Sequence, residues 1–292
     1  MELRAHLGTG RRLAVPRSLA AGYGAVASLL VIVYFLPVTS DNVQVAIYEM
    51  LGIGVPVSIV IGLLRYRPAN KVHWLLFLAG FTSWAVGDAY WNYYRWILHA
   101  QAGYPSLADV AYQFGYPMLI VGAFALTAGR RKPSLRELLD AAIVAVGAAT
   151  LAWTVLVEPA LMQSGLSAAG TAFTISTPVA DVVLLLAVAE LAFRTRITNV
   201  ALRCVIASFG FTLLADVAYS YLNLHGGYTN GMFIDGGWML GYALLAVAAL
   251  HPSMATIRPV VQAKISRPTG WRLAILGAAL FAAPLALLAD FL

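Results

Sequence analysis

The chain has 292 residues, of which 61% are hydrophobic and only 11% charged, and it carries a net charge of +6. Soluble domains carry about 25% charged residues, so this composition excludes an ordinary soluble globule and predicts an all-α, polytopic membrane helix bundle. A single cysteine, Cys204, excludes a disulfide framework and a Cys-rich metal site.

A bilayer core about 30 Å thick needs roughly 20 apolar residues per helix. Nine transmembrane helices are predicted in chain order, at about 18–38, 44–64, 73–97, 107–128, 135–157, 172–193, 199–222, 232–250 and 271–291. Residues 1–17 precede them as a short N-terminal segment. The first span is too long for a signal-peptide core and lacks a convincing small-residue cleavage site, so it reads as retained. Only 158–171 and 251–270 are longer connections, and neither has room for a soluble domain. The second carries Pro252, Pro259 and Pro268 and reads as a cytoplasmic linker into a last unit, 271–292.

The placement of the basic residues sets an expected orientation. Arg4, Arg11, Arg12 and Arg17 precede span 1; Arg65, Arg67 and Lys71 lie between spans 2 and 3. Arg130, Arg131, Lys132 and Arg136 lie between spans 4 and 5, and Arg194, Arg196 and Arg203 between 6 and 7. Arg258, Lys264, Arg267 and Arg272 lie between 8 and 9, and Arg95 alone falls on the other side. The positive-inside rule then predicts a multi-pass protein of the inner (cytoplasmic) membrane with a cytoplasmic N-terminus. The bilayer is the expected partner, with anionic lipid against the basic loops. Nucleic acid is not expected, because no soluble basic face exists. Nine crossings leave Leu292 outside, and a tenth span in a longer parent chain is the expected completion.

An eight-residue pattern occurs twice. Asp109-Val-Ala-Tyr112-Gln-Phe-Gly115-Tyr116 is answered 126 positions later by Asp235-Gly-Gly-Trp238-Met-Leu-Gly241-Tyr242. Gly80-Phe81-Thr82 with Asp88 is echoed by Gly210-Phe211-Thr212 with Asp216. The offset covers four spans, an even number of crossings. It predicts a parallel internal repeat, with spans 1–4 (18–128) as one half and spans 5–8 (129–250) as the other.

An ionisable side chain inside a span costs roughly 2.5–3.5 kcal/mol on insertion scales and is a functional-site hypothesis by default. Asp88 and Asp216 fall in the outer thirds of spans 3 and 7, as Glu49 does in span 2. Asp109 and Asp235 open spans 4 and 8, and Asp181 lies near the middle of span 6. Helical spacing puts Trp84, Asp88, Trp91 and Arg95 on one stripe, and Thr212, Asp216, Tyr219 and Asn223 on its equivalent. Asp109, Tyr112 and Tyr116 share a face, as do Asp235, Trp238 and Tyr242. Asp88, Arg95, Asp109, Tyr112, Asp216, Tyr219, Asp235 and Trp238 therefore form the candidate ligand site. Acids among aromatic faces suit a small cationic ligand at the outer face.

Structural roles compete at each position. Ser106 with Asp109 fits a capping box. Arg95 has Asp88 or Asp109 as a bridge partner. Tyr90, Trp91, Tyr93, Tyr94 and Trp96 fit an interfacial belt, and Gly115 and Gly241 fit close helix packing. His99 and His225, each ten residues ahead of its aspartate, open the option of a metal quartet with Asp109 and Asp235; the bare spacing makes no metal the first expectation. No cofactor is expected. Haem would need histidines paired deep in the bundle, and a retinal Schiff base a buried lysine, whereas Lys71, Lys132 and Lys264 lie in or beside loops. No P-loop, His-Glu-x-x-His or nucleophile elbow occurs, so the chain is not expected to be an enzyme.

Gly87-Asp88-Ala-Tyr90, Pro105-Ser106-Leu107-Ala108-Asp109, Tyr116-Pro117, Asp216 and the string Ala248-Ala249-Leu250-His251-Pro252-Ser253-Met254 resemble the N-terminal multi-span membrane region of actinobacterial signalling proteins. In that family the region precedes cytoplasmic GGDEF and EAL domains, which make and degrade cyclic di-GMP. The resemblance spans about residues 45–290 and implies a sensory input domain for signal transduction; the output domains are not in this sequence. Two other readings stand beside it. One is a small proton- or cation-coupled transporter, and the other a passive anchor or homodimerisation scaffold.

Overall fold

A computed structural model describes residues 18–100, 102–127, 134–162, 165–194, 199–257, 270 and 276–277. Among these residues there is no strand. The helices are α1 (Ser18–Tyr34), α2 (Asp41–Tyr66), α3 (Val72–Trp96), α4 (Leu107–Ala125) and α5 (Leu135–Ala152). A π-helical turn (Trp153–Val157) carries α5 without a break into α6 (Glu158–Met162). Then follow α7 (Ala168–Arg194), α8 (Val200–Leu224), α9 (Asp235–Leu250) and a 3-10 turn, Pro252–Thr256.

Four of these rods are long and apolar enough to cross a membrane: Asp41–Tyr66, Leu135–Met162, Ala168–Phe193 and Val200–Leu224. Leu19–Tyr34 and Asp235–Leu250 are shorter apolar helices. Helix α3 has the length but carries Asp88, Asn92 and Arg95. The described residues are therefore all-helical, with membrane-type helices that turn apolar side chains outward. Leu29, Leu64, Val146, Trp153 and Leu214 are all exposed, an arrangement that water disfavours and lipid accepts.

Helices stand at eight of the nine predicted positions. The fifth runs on to Met162 because the π-helical turn prolongs it, so the connection expected at 158–171 shrinks to a few residues. Residues 1–17, 258–269 of the linker and all of the ninth predicted span except 276–277 lie outside the described residues. So do the basic residues at 4, 11, 12, 17, 130–132, 196, 258, 264, 267 and 272.

Local chemistry sets the helix starts. Ser134 and Glu137 cap α5 reciprocally, and Asn199 Oδ1 accepts from Leu202 N at the start of α8. Packing closes six helices into a ring, in the order α2, α3, α4, α7, α8, α9 and back to α2. Helix α1 lies outside against α9 and α2, and α5 outside against α7. The ring interior is filled by Trp74, Phe77, Phe81, Leu184, Phe209 and Met239, all essentially inaccessible.

The two ends of the ring differ. At one end Tyr66 Oη donates to Leu250 O (2.8 Å), and Asn199 Nδ2 donates to Ser253 O (3.0 Å). Ser253 Oγ accepts from Ala201 N (3.0 Å) and pairs with His251 Nδ1 (2.7 Å). The His251-Pro252-Ser253 string is thus a clamp that joins the ends of α9 and α8. Arg65, Arg67, Lys71, Arg136 and Arg203 belong to helix ends on this side. Arg95 lies at the opposite end.

Candidate functional site

Helices α3 and α4 pack closely because their contact faces are small. A Cβ on Gly115 would strike the Trp84 indole, and one on Gly87 would stand 2.6 Å from the Tyr112 ring. With hydrogens there instead, Trp84 Nε1 donates to Tyr112 O (3.0 Å) and Tyr112 lies across α3. Its phenol then donates to Asp88 Oδ1 at 2.7 Å. From α2, Glu49 accepts from Asn92 Nδ2 (2.5 Å), one turn beyond Asp88, and stands within electrostatic reach of that aspartate.

Helices α8 and α9 meet in a comparable way. Gly241 leaves room for the Ser208 and Thr212 side of α8, and Ser208 Oγ donates to Gly241 O (2.7 Å). Trp238 Nε1 donates to Asp216 Oδ1 (2.7 Å), and Tyr116 Oη, from α4, donates to Asp216 Oδ2 (3.4 Å). Asp181 of α7 lies beside Asp216 and Tyr116. It is 5% exposed, and neither of its carboxyl oxygens has a hydrogen-bond partner.

Tyr242 joins the two groups. It is 4% exposed, meets the Tyr48 hydroxyl at 3.4 Å, and faces both Asp88 and Asp216. Glu49, Asp88, Asp216 and Asp181 thus lie along one polar seam, walled by Tyr48, Tyr112, Tyr116, Trp238 and Tyr242. Among the described residues no ion pair forms to any of the four acids. A low-dielectric interior strengthens whatever positive charge such a seam meets.

Of the eight residues expected at the site, Asp88, Tyr112, Asp216 and Trp238 are in the seam. Tyr219 borders it, edge-on to Trp238 at 5.5 Å and facing Asp109, Tyr104 and Asp216. Asp109 has the competing structural role: its Oδ2 accepts from Ser106 N (2.6 Å) and Ser106 Oγ (2.8 Å), which completes the capping box of α4. Asp235 is 1% exposed and is tied by three donors, Tyr34 Oη (2.5 Å), Gly231 N (2.7 Å) and Tyr228 Oη (3.0 Å). Burial and the Asp235 charge push the Tyr228 phenol well above its ordinary range.

Two expectations are corrected. Arg95 bridges neither Asp88 nor Asp109; it is exposed and lies 4.0 Å from Asp41 Oδ2 at the start of α2. Two helical turns separate it from Asp88, about 10 Å of rise. The quartet of His99, His225, Asp109 and Asp235 does not assemble, and the described residues hold no group of three or more metal-ligating side chains. Both histidines are exposed, and His225 Nδ1 is engaged with Tyr221 O at 2.7 Å.

Sequence reasoning left Glu49, Asp181, Tyr48, Tyr116 and Tyr242 out of the site. The available signal was depth for the two acids, and for Tyr116 and Tyr242 their place at the end of each motif copy. No family model, curated protein or solved structure matches this chain.

Proposed function

We propose that this chain is an integral-membrane input domain of a bacterial signalling protein, relaying an outer-face signal to a cytoplasmic GGDEF/EAL module that turns over cyclic di-GMP. The observation that carries the reading is the acid–aromatic seam, which holds α3–α4 and α8–α9 together through carboxylates that have no basic counter-charge among the described residues. A signal that alters that charge balance alters the packing of the two pairs, provided it favours one packing over another. The sequence strings that resemble GGDEF/EAL-linked membrane regions support the choice of output.

In this reading 18–128 and 129–250 are parallel repeat halves of a nine-span bundle. Three relationships support it. Asp88 and Asp216 each stand eight residues before the end of their helix. Each accepts from the first aromatic of a motif copy, Tyr112 or Trp238. The contact of α2 with α9 is answered by that of α7 with α4. The clustering of Arg65, Arg67, Lys71, Arg136 and Arg203 at one end supports a cytoplasmic N-terminus in the inner membrane. The test is to replace Asp88 and Asp216 by Asn in the chromosomal gene and measure cellular cyclic di-GMP. A changed level is expected. A level that responds neither to these changes nor to deletion of the gene would defeat the reading.

One observation favours a second reading, a cation-coupled carrier. Asp181 is the central residue of α7, at the depth where carriers place coupling acids. Flux of a labelled cation into proteoliposomes, abolished by Asp181→Asn, would establish it in place of the first.

A further inference from the structure

The two ends of the seam are closed differently. On the α2 side, Glu49 is satisfied by the amide of Asn92, one turn beyond Asp88. On the α7 side, the residue one turn beyond Asp216 is Ser220, which has no amide to offer, and neither oxygen of Asp181 has a hydrogen-bond partner. Asp216 already holds two donors, Trp238 Nε1 and Tyr116 Oη, one on each oxygen. Asp181 has none, though it is 95% removed from solvent. A bare carboxylate in an apolar interior costs several kcal/mol, so something with positive character belongs there.

A proton shared with Asp216 neutralises one of the two acids and leaves a single negative charge on the pair. A small cation reaches both. The neighbouring walls fit one: Tyr116 carries a ring beside both acids, and Trp238 presents its indole to Asp216 with Tyr219 edge-on behind it. Aromatic faces and carboxylates together select a single positive charge. With no third ligating acid in reach among the described residues, a multiply charged metal is disfavoured.

We propose that Asp181 and Asp216, framed by Tyr116 and Trp238 between α4, α7, α8 and α9, form a binding site for one compact monovalent cation, an alkali ion or a small protonated amine. The inference deepens the reading above by naming the ligand class. Its test reads binding alone, so binding without any change in cyclic di-GMP would sink the signalling role and leave the site standing.

The test is thermal unfolding of the purified chain in lipid nanodiscs at constant ionic strength. Bulky N-methylglucamine serves as the inert cation, replaced stepwise by sodium, potassium, ammonium or methylammonium. At least one small cation is expected to raise Tm saturably, by about 3 °C or more. A response to sodium or potassium alone assigns an alkali ion, and one to ammonium or methylammonium alone assigns an amine. Asp181→Asn is expected to abolish the response. Should that variant not fold, Asp216→Asn, which removes the second acid of the site and leaves Asp181 in place, is expected to weaken it at least tenfold. A wild-type Tm indifferent to all four cations overturns the proposal, as does a response that survives in the folded variant.

Discussion

Tyr116 of α4 reaches Asp216 of α8 across 3.4 Å, although 100 positions of chain separate them. The tyrosine that ends one motif copy thus touches the acid associated with the other. Tyr242, which ends the second copy, faces Asp88 in return. Each acid also has a shorter bond to an aromatic donor of its own helix pair, Tyr112 for Asp88 and Trp238 for Asp216. The shorter bonds hold each pair together, and the crossed tyrosines hold the pairs to one another.

The two kinds of contact should separate in a mutant series. Tyr112→Phe removes the hydrogen-bond donor of the half-buried Asp88 carboxylate and is expected to cost about 1.5–3 kcal/mol. Tyr116→Phe breaks a longer bond to an acid that keeps Trp238, and is expected to cost less than about 1 kcal/mol. Unfolding of both variants in nanodiscs measures the difference; equal costs would show that the crossed tyrosines matter as much to the fold as the paired ones.

The glycines of the two motif copies predict a second contrast. A methyl group at Gly241 would lie 2.6 Å from Thr212 Oγ1, and one at Gly115 would strike Trp84. Gly115→Ala and Gly241→Ala are each expected to cost about 1–3 kcal/mol through overpacking. Gly210 has nothing within 4 Å of its would-be Cβ, so Gly210→Ala should be neutral or slightly stabilising. Thermal unfolding of the three variants checks the order. It also separates Gly210 from Gly80, with which it is paired in sequence but whose Cβ would stand 2.6 Å from Leu119.

The helices and the cap at Ser106–Asp109 were legible because hydropathy runs and a three-residue spacing are local signals. The pairs Asp88–Tyr112 and Asp216–Trp238 were half legible: periodicity put each residue on a definite face, and the motif copies linked the faces. Glu49 and Asp181 were visible as acids within predicted spans, but their place in the seam depends on the ring order that sets α2 beside α3 and α7 beside α8. No periodicity within one helix carries that order. Arg95 misled because a stripe at helical spacing records direction and ignores the axial rise that carries the guanidinium away from Asp88. The histidine spacing was a weak signal because ten residues between a histidine and its aspartate do not fix a geometry, and the oxygens of Asp109 and Asp235 are engaged by Ser106, Tyr34 and Tyr228.

Asp235 should behave as a structural tie, unlike Asp181. Its two oxygens accept from Tyr34, Tyr228 and Gly231, which fastens the end of α1 and the 228–231 loop to the start of α9. An asparagine keeps one acceptor oxygen and places an NH₂ among donors, so Asp235→Asn is expected to cost about 2–4 kcal/mol. The cation response of the folded fraction should remain. Loss of that response with little loss of stability would instead move Asp235 into the binding site.

Orientation gives the last prediction. Arg65, Arg67 and Lys71 join α2 to α3 at the end where the His251-Pro252-Ser253 clamp lies, and His99 follows α3 at the other end. In a Cys204→Ser background, Lys71→Cys should react with a membrane-impermeant maleimide only in inverted vesicles, and His99→Cys only in right-side-out spheroplasts. Basic loops are held on the cytoplasmic side by the insertion machinery and the membrane potential, so the bias at this end should fix the outcome. The opposite labelling pattern would put the Glu49–Asp88 end of the seam nearer the cytoplasm. An outer-face signal would then have to cross most of the bilayer to reach it, and the input-domain reading would lose its route.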